Sequence, residues 1–242
     1  MTLLDITEKI RRDRVLIETL IDDPSPLGPD FQPIRSLLGD SLLGYKATGR
    51  GQGGTALDST LALLAGAQSS GLVERLDWAF RCLAFDVALD AGIDTELHLT
   101  PEAETFGSSC PPRLAAAFGR GVRALRVAAE VHDDGLALAG LEDAVTQWRD
   151  WGWRVVIADI AHLVDLSLLR RLEQLRPDAV QVDLSLTGRD RDAQVAVMLS
   201  WASSSGVEIH AVGVDSEVGR AHALDLGAVA GRGRLLGPPG LL

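Results

Sequence analysis

The chain has 242 residues and 46% of them are apolar, enough to bury one large core or two small ones. Its net charge is −11 at pH 7. This charge argues against nucleic acids and anionic membranes as partners, because basic surface supplies the affinity for both. No apolar run reaches the ~18 residues of a membrane span.

The two cysteines, Cys82 and Cys110, belong to no CxxC pair or Cys/His cluster of the kind that binds zinc. A chain of this size with two cysteines is expected to hold them as reduced, unpaired thiols in the cytoplasm. Charged residues interrupt the apolar positions of the first segment, MTLLDITEKIRRDR, so it does not read as a signal peptide.

The first predicted element is an amphipathic helix over residues 2–22, with apolar residues near helical spacing. The segment DPSPLGP, residues 23–29, ends it. We expect residues 1–29 to form a helical extension and residues 30–242 to form one barrel domain. The apolar stripe of the helix is expected to pack on that domain rather than on a partner.

A hairpin follows, with strands at Phe31–Ile34 and Leu42–Ala47 and a turn at Gly39-Asp40. After it comes a loop with four glycines, Gly49–Gly54 (GRGQGG). Backbone N–H groups of such a loop can cradle a phosphate. The loop lacks the Lys-Ser/Thr pair of a P-loop, so a simple flexible loop is the alternative interpretation.

From residue 57 onward, helical and strand patterns alternate. The further predicted strands are Thr95–Leu99, Ala124–Val131, Arg154–Ala158, Ala179–Asp183, Val207–Val212 and Ala228–Ala230. The predicted helices are Leu57–Gly66, Leu72–Ala91, Leu138–Asp150, Asp165–Gln174, Asp190–Ser203 and Glu217–Leu226. This alternation predicts an α/β fold, a (βα)8 TIM-like barrel whose first hairpin breaks the regularity. A doubly wound open sheet is the competing architecture.

Several charged residues lie at the predicted strand ends, which meet at one mouth of a barrel. They include Lys46, Glu130, Asp159 and Asp183. Carboxylates are costly to bury without a cation. An ammonium about 4 Å from a carboxylate gains on the order of 4 kcal/mol at an effective dielectric near 20, before desolvation is subtracted. We therefore expect the Lys46 ammonium to be the cation of this mouth.

A transition metal is the alternative cation, with His98, His132, His210 and the carboxylates as ligands. No HxH or HExxH motif supports it. A single histidine on a strand is more often a hydrogen-bonded core residue.

Eight segments, in order, resemble one known family. LGYKATGR (Leu43–Arg50), preceded by FQPI, resembles the motif "QPI … GYEALLR", and RPDAVQVDLSL resembles "PDxIKIDRSF". The others are GLVERLDW, LHLTPE, AEVHDD, WGWRVVIADIA, HAVGVDSE and GRGRLLGPP. Together they resemble an EAL domain, the family of bacterial cyclic-di-GMP phosphodiesterases, from Phe31 to Pro239. The resemblance implies a (βα)8-like barrel with an antiparallel first strand.

The resemblance also implies two divalent cations held by carboxylates and an asparagine, with a lysine that assists the attacking water. The corresponding positions here are Lys46, His98, Glu130, Ala158, Asp159, Gln181, Asp183, Val212 and, as the next acidic residue, Asp215. Lysine, histidine, alanine and valine replace four oxygen ligands, and Gln181 replaces the catalytic lysine. Because Mg²⁺ requires hard oxygen ligands, we interpret the set as a vestigial site without metal, cofactor, catalytic residue or phosphodiesterase activity.

Binding can remain when catalysis is lost. Arg50 matches the family's phosphate-contacting arginine, and Gln32 and Arg232 are expected at the same mouth, so these three are candidate nucleotide-binding residues. We expect a regulatory domain that binds a partner protein, or cyclic-di-GMP without hydrolysis. The alternative is an active cyclic-nucleotide phosphodiesterase or another metal-dependent hydrolase that uses His98, His210 and the carboxylates.

Two further expectations concern assembly. The resemblance implies that a homodimer is possible. Trp148, Trp151 and Trp153 would mark an interface if they were exposed.

Overall fold

A computed structural model of the chain describes residues 3–132, 135–158, 166–186 and 192–242. Its strands are β1 Gly28–Ser36, β2 Leu42–Arg50, β3 Glu96–Leu99, β4 Arg126–Val131, β5 Arg154–Ile157, β6 Ala179–Asp183, β7 Glu208–Val212 and β8 Ala230–Arg232. Its helices are α1 Leu3–Asp22, α2 Thr60–Ser70, α3 Val73–Asp90, α4 Ala115–Ala124, α5 Leu141–Asp150, α6 Leu166–Leu175, α7 Asp192–Ser205 and α8 Glu217–Asp225. Single 3₁₀ turns lie at Ala103–Thr105, Pro112–Leu114 and Leu184–Leu186.

The eight strands close into a barrel in chain order. β1 runs antiparallel to both of its neighbours, β2 and β8, and all the other pairs are parallel. A short turn can join only antiparallel strands, and the β1–β2 turn contains Asp40 at φ 55°, a conformation that Asp tolerates. The predicted (βα)8 TIM-like barrel with an antiparallel first strand is therefore confirmed.

Local signals set the ends of the outer helices. Ser59 caps α2 by accepting a hydrogen bond from the backbone N–H of Ala62 at 3.2 Å, and Gly71 ends it in the left-handed region at φ 67°. Ser216 caps α8 in the same way, from the N–H of Gly219 at 3.1 Å. Among the described helices, none is long and apolar enough to cross a membrane.

The N-terminal helix packs on the barrel's own outer helices. Ile17, Leu20 and Ile21 of α1 are buried in one cluster with apolar residues of α2 and α3. Arg113 donates to the carbonyl of Ile21 at 2.9 Å and so binds the last turn of α1. The expected packing of this helix on its own domain is confirmed.

Helix α4 was not predicted, because its sequence AAAFGRGVRA holds two glycines and few large apolar residues. The structure explains the glycine at position 121. A Cβ on Gly121 would lie 2.2 Å from a ring carbon of Phe85, so only glycine lets α4 approach α3 this closely. A Cβ on Gly119 would meet only the flexible end of Arg123, at 3.2 Å.

The three tryptophans near α5 do not form an exposed patch. Trp148 and Trp153 are 3% and 4% exposed, and Trp151 is partly buried. Trp151 stacks edge-on against Phe118 and Trp153, with ring centroids 4.9 and 5.0 Å apart. The condition for an interface here, exposure of the three rings, is not met, because the rings pack in the core cluster between the barrel and its helices.

Candidate functional site

Lys46 lies inside the barrel at the mouth formed by the carboxyl ends of the parallel strands. In register it faces Gln32 of β1 on one side and His98 of β3 on the other. Its residue exposure is 6%, and its Nζ lies 2.7 Å from Oε2 of Glu130. Nζ also donates to the Thr100 hydroxyl. The ammonium therefore sits beside a carboxylate of the mouth, as the strand pattern predicted.

Glu130 is fully buried at the centre of this mouth. Its Oε1 accepts hydrogen bonds from Nδ1 of His98 and from Nε2 of Gln181, both at 2.8 Å. Nη2 of Arg232 lies 3.9 Å from Oε2. Burial would raise the pKa of Glu130, but the charge of Lys46, the His98 hydrogen bond and the charge of Arg232 hold that pKa well below its usual value.

His98 joins two carboxylates. Its Nδ1 faces Glu130, and its Nε2 lies 2.9 Å from Oε2 of Glu96. Ionised carboxylates only accept hydrogen bonds, so both ring nitrogens donate and the imidazole carries a positive charge. Burial would lower the pKa of His98, but its bonds to Glu130 and Glu96 raise that pKa above its usual value.

A second charged cluster continues toward the opposite end of the barrel. Arg154 lies 3.4 Å from Glu96 and 2.9 Å from Glu208, and Glu208 lies 3.0 Å from Nε2 of His210. His210, one of the three histidines predicted as metal ligands, is therefore bound to Glu208. The hydrogen bond with His210 lowers the pKa of Glu208 to about 2, with help from Arg154, although partial burial alone would raise it.

Four other predicted site residues, Ala158, Asp183, Val212 and Asp215, make contacts of their own. Asp183 accepts from the backbone N–H and the hydroxyl of Ser185 at 2.8 and 2.7 Å, and Asp215 accepts from the backbone N–H and Nε of Arg234 at 2.8 and 3.1 Å. Val212 stands in register between Asp183 and Arg232. Ala158 is buried and contributes a backbone hydrogen bond to β4. Asp159 lies outside the described residues.

The three candidate nucleotide-binding residues differ in their surroundings. Gln32 and Arg232 approach each other at 3.5 Å inside the mouth, and Nε of Arg232 is buried without a hydrogen-bond partner. Arg50 is half exposed at the end of β2, and its Nε lies 3.8 Å from Asp30. The glycine loop beside it is tied by the N–H of Gly51, which donates to the carbonyl of Asp58 at 3.0 Å.

Beside Lys46, a cavity of about 320 Å³ extends between β2, α2 and α3. Leu63, Leu76 and Phe80 contribute to its apolar wall, and Lys46 and Arg232 lie at its polar end. A larger open groove of about 780 Å³ adjoins it and shares Thr100, Glu102 and His132 with it. The cavity thus combines an apolar wall with both cationic and anionic side chains, the anionic ones being Asp77 and Glu102.

A comparison with models of known protein families identifies the family of this barrel. A model of the EAL domain matches residues 24–239, which is most of the chain. This chain belongs to the EAL domain family. A comparison with curated proteins found no match.

Solved EAL structures share the fold at low sequence identity. The EAL domain of Xanthomonas citri FimX, in complex with c-di-GMP, has a TM-score of 0.82 and 17% identity, over 98% of this chain and 97% of that one. Bacillus subtilis YkuI, in complex with c-di-GMP and calcium, has a TM-score of 0.76 and 16% identity, over 93% and 58%. A standalone EAL protein from Vibrio cholerae O395, bound to c-di-GMP, has a TM-score of 0.71 and 18% identity, over 88% and 92%.

The contacts of Glu130 compete with the divalent cations that the EAL resemblance implies. The Lys46 ammonium and the N–H groups of His98 and Gln181 already occupy both oxygens of Glu130. An ammonium 2.7 Å from the carboxylate repels a divalent ion at the same oxygens. Within the part of the chain that the structure describes, no group of three or more His, Cys, Asp or Glu side chains is arranged to hold a metal ion.

Sequence reasoning missed three participants: Thr100, Glu96 and Arg154. Glu96 lies two residues before His98 on β3, so strand alternation puts it on the same inner face. The signal that identifies Thr100 is its position two residues beyond His98, which puts it on the same inner face one step nearer the mouth. Nothing in the sequence alone indicated that Arg154 spans the barrel to two glutamates.

Proposed function

We propose that this chain is a non-hydrolysing EAL domain that binds cyclic-di-GMP without a metal and acts as a regulatory domain. The observation that supports this most directly is the ion pair between Lys46 and Glu130 at 2.7 Å. Two-metal hydrolysis needs both ions, one to prepare the water and one to stabilise the leaving oxygen. An ammonium bonded to the central carboxylate favours binding over that chemistry.

The charges of the mouth favour an anionic ligand. Glu130 is met by Lys46, His98 and Arg232, so the cations around this carboxylate outnumber it. Asp183 and Asp215 are bound to Ser185 and to Arg234. Arg232, with a buried Nε that has no partner, is the cation best placed to bind a phosphate of cyclic-di-GMP.

Isothermal titration calorimetry with cyclic-di-GMP tests the proposal. We expect micromolar binding that is the same in Mg²⁺ and in EDTA. Arg232→Gln is expected to weaken it about tenfold or more, since a hydrogen bond to a charged group contributes about 1.5–3 kcal/mol. Arg50→Gln is the matched comparison, and we expect a smaller loss because Arg50 is half exposed. Absence of binding by the folded wild type would reject cyclic-di-GMP as the ligand.

A protein partner is a second candidate, favoured by the open groove at the mouth. Its floor includes Phe106 and Leu138, and its rim carries Glu102 and Glu104, a combination that suits a basic segment with apolar side chains. A homodimer also remains a prediction, and the mass of the purified protein, measured by sedimentation or light scattering, tests it. A pull-down that recovers only this chain would count against a heterologous partner.

The alternative of a metal-dependent hydrolase is less well supported. Both ring nitrogens of His98 bond to carboxylates, and Nε2 of His210 bonds to Glu208. Elemental analysis of the purified protein distinguishes the two: a stoichiometric transition metal would favour the hydrolase, and none is expected.

A further inference from the structure

The two cysteines meet at the contact between α3 and the segment that follows β3. Cys82 lies on α3 and is buried, and Cys110 is half-buried just before the 3₁₀ turn Pro112–Leu114. Cys110 lies between Ser108, which bonds to Trp78 of α3, and Leu114, and the Cys110 thiol is near enough to contribute to the raised pKa of Cys82. The sulfur of Cys82 also lies 3.9 Å from the carbonyl oxygen of Leu114, beyond Cys110 in the same segment.

Two hydrogen bonds hold the part of this segment that precedes Cys110 against the helix. One turn before Cys82, the indole N–H of Trp78 donates to the Ser108 hydroxyl at 2.9 Å. Arg81 donates to the Thr105 hydroxyl at 3.2 Å. The approach of Cys110 to Cys82 is therefore supported by packing next to the thiols that the thiols themselves do not make.

We propose that Cys82 and Cys110 form a site of oxidative modification, which closes an intramolecular disulfide by exchange with a low-molecular-weight disulfide such as oxidised glutathione. This inference does not rest on the proposed ligand or on the lack of hydrolysis. It goes beyond the expectation of two unpaired thiols, because in the fold each cysteine is the other's nearest partner for exchange.

The exchange has two steps that balance. The Cys110 thiolate attacks one sulfur of glutathione disulfide, whose S–S bond breaks and releases one glutathione thiolate that takes up a proton. Cys82 then loses its proton and attacks the sulfur of Cys110, which releases the second glutathione. Two protein thiols are oxidised by two electrons, and one small disulfide is reduced to two thiols.

Accessibility sets the order of attack and the rate. Cys110 is half-buried and Cys82 is buried, so a small disulfide reaches Cys110 first. Burial and the neighbouring Cys110 thiol raise the pKa of Cys82 to about 12, and burial raises the pKa of Cys110 as well. Because thiolates are the attacking species, the exchange is slow at neutral pH and faster as the pH rises.

The crosslink would fix one wall of the barrel mouth. The segment between the two cysteines includes Thr100, which accepts a hydrogen bond from Lys46, and just beyond it Arg113 binds the end of α1. Closing a loop of this length constrains the unfolded chain, so the oxidised protein is expected to melt roughly 5–10 °C higher than the reduced one.

Trypsin gives a direct readout, because it cleaves after Arg81 and Arg113 and the segment between them contains both cysteines but no lysine or arginine. The native protein and the urea-unfolded chain are equilibrated in glutathione buffers of graded redox ratio, trapped with N-ethylmaleimide and digested. An internal disulfide lowers the mass of this peptide by two hydrogens and blocks both alkylations. We expect the effective concentration of the pair to be at least tenfold higher in the native protein than in urea.

An equal or lower effective concentration in the native protein would overturn the proposal, as would a mixed disulfide on Cys110 as the wild-type end product. Cys82→Ala supplies the control for the first step. In this variant the mixed disulfide on Cys110 should persist. If Cys110 stays unmodified there while the unfolded chain reacts, the proposed route of attack is wrong.

Discussion

Replacing Lys46 with methionine tests the ion pair at the centre of the mouth. The change keeps most of the side-chain volume and leaves Glu130 buried without its closest cation. Removing one partner of a buried pair costs about 3–5 kcal/mol, since the other charge remains buried. His98 and Gln181 still donate to Glu130, so we expect a loss near the lower end, about 3 kcal/mol at pH 7.

Urea unfolding followed by circular dichroism measures this loss. With a slope of ~3 kcal/mol/M for a chain of this size, the midpoint should fall by about 1 M. Arg14→Met is the control, because Arg14 forms an exposed pair with Glu18 at 3.1 Å and its loss should cost no more than ~0.5 kcal/mol. The double variant Lys46→Met/Glu130→Gln should recover much of the stability, because no buried charge is left unpaired.

The pH dependence supplies an independent check. The depressed pKa of Glu130 gives wild-type stability that is present above the unfolded pKa, about 4.3, and is lost as the pH falls through the folded pKa. Without Lys46 that pKa rises, and protonation of Glu130 removes the buried charge. The difference between wild type and Lys46→Met should therefore narrow below about pH 5. A variant as stable as wild type at pH 7, or a deficit unchanged with pH, would refute the pairing.

Three further predictions concern other parts of the fold. His98→Gln should lower the free energy of unfolding by about 2 kcal/mol at pH 6. Because folding raises the pKa of His98, this loss should become smaller as the pH rises above about 6.5 through the folded pKa. A loss that does not change with pH would argue against a charged imidazole. Gly121→Ala should destabilise by about 1–3 kcal/mol in urea unfolding, while Gly119→Ala on the same helix should be neutral or stabilising; equal effects would contradict the close approach of α4 to α3. Arg113→Ala should speed amide hydrogen exchange in the last turn of α1, where it removes the bond to Ile21, and unchanged exchange there would count against that contact.

The fold was predictable from the sequence because its signals are local. Alternating strand and helix patterns predicted the α/β barrel, with a doubly wound sheet as the competing architecture, and the resemblance to EAL domains implied the antiparallel first strand. Helix α4 was missed because the glycine that admits Phe85 also weakens the helical pattern. Its role depends on a contact with α3, which no local pattern contains.

The site was predictable only in part, for a related reason. Side-chain alternation on strands was enough to place Lys46 and His98 on the inner face with Glu130. Beyond the last residue of a strand that alternation stops, and Asp215 turns to Arg234 instead of facing the other acids. The bridge from Arg154 to Glu96 crosses the barrel interior, which depends on three-dimensional closure rather than on spacing.

Incubation of the purified protein with cyclic-di-GMP and either Mg²⁺ or Mn²⁺, with the products separated by chromatography, tests the central claim most directly. Because a lysine ammonium occupies the carboxylate where relatives are expected to hold metal, the account predicts that the nucleotide remains intact over hours. Metal-dependent opening of the ring at an ordinary enzymatic rate, on the order of 1 s⁻¹ or faster, would contradict it.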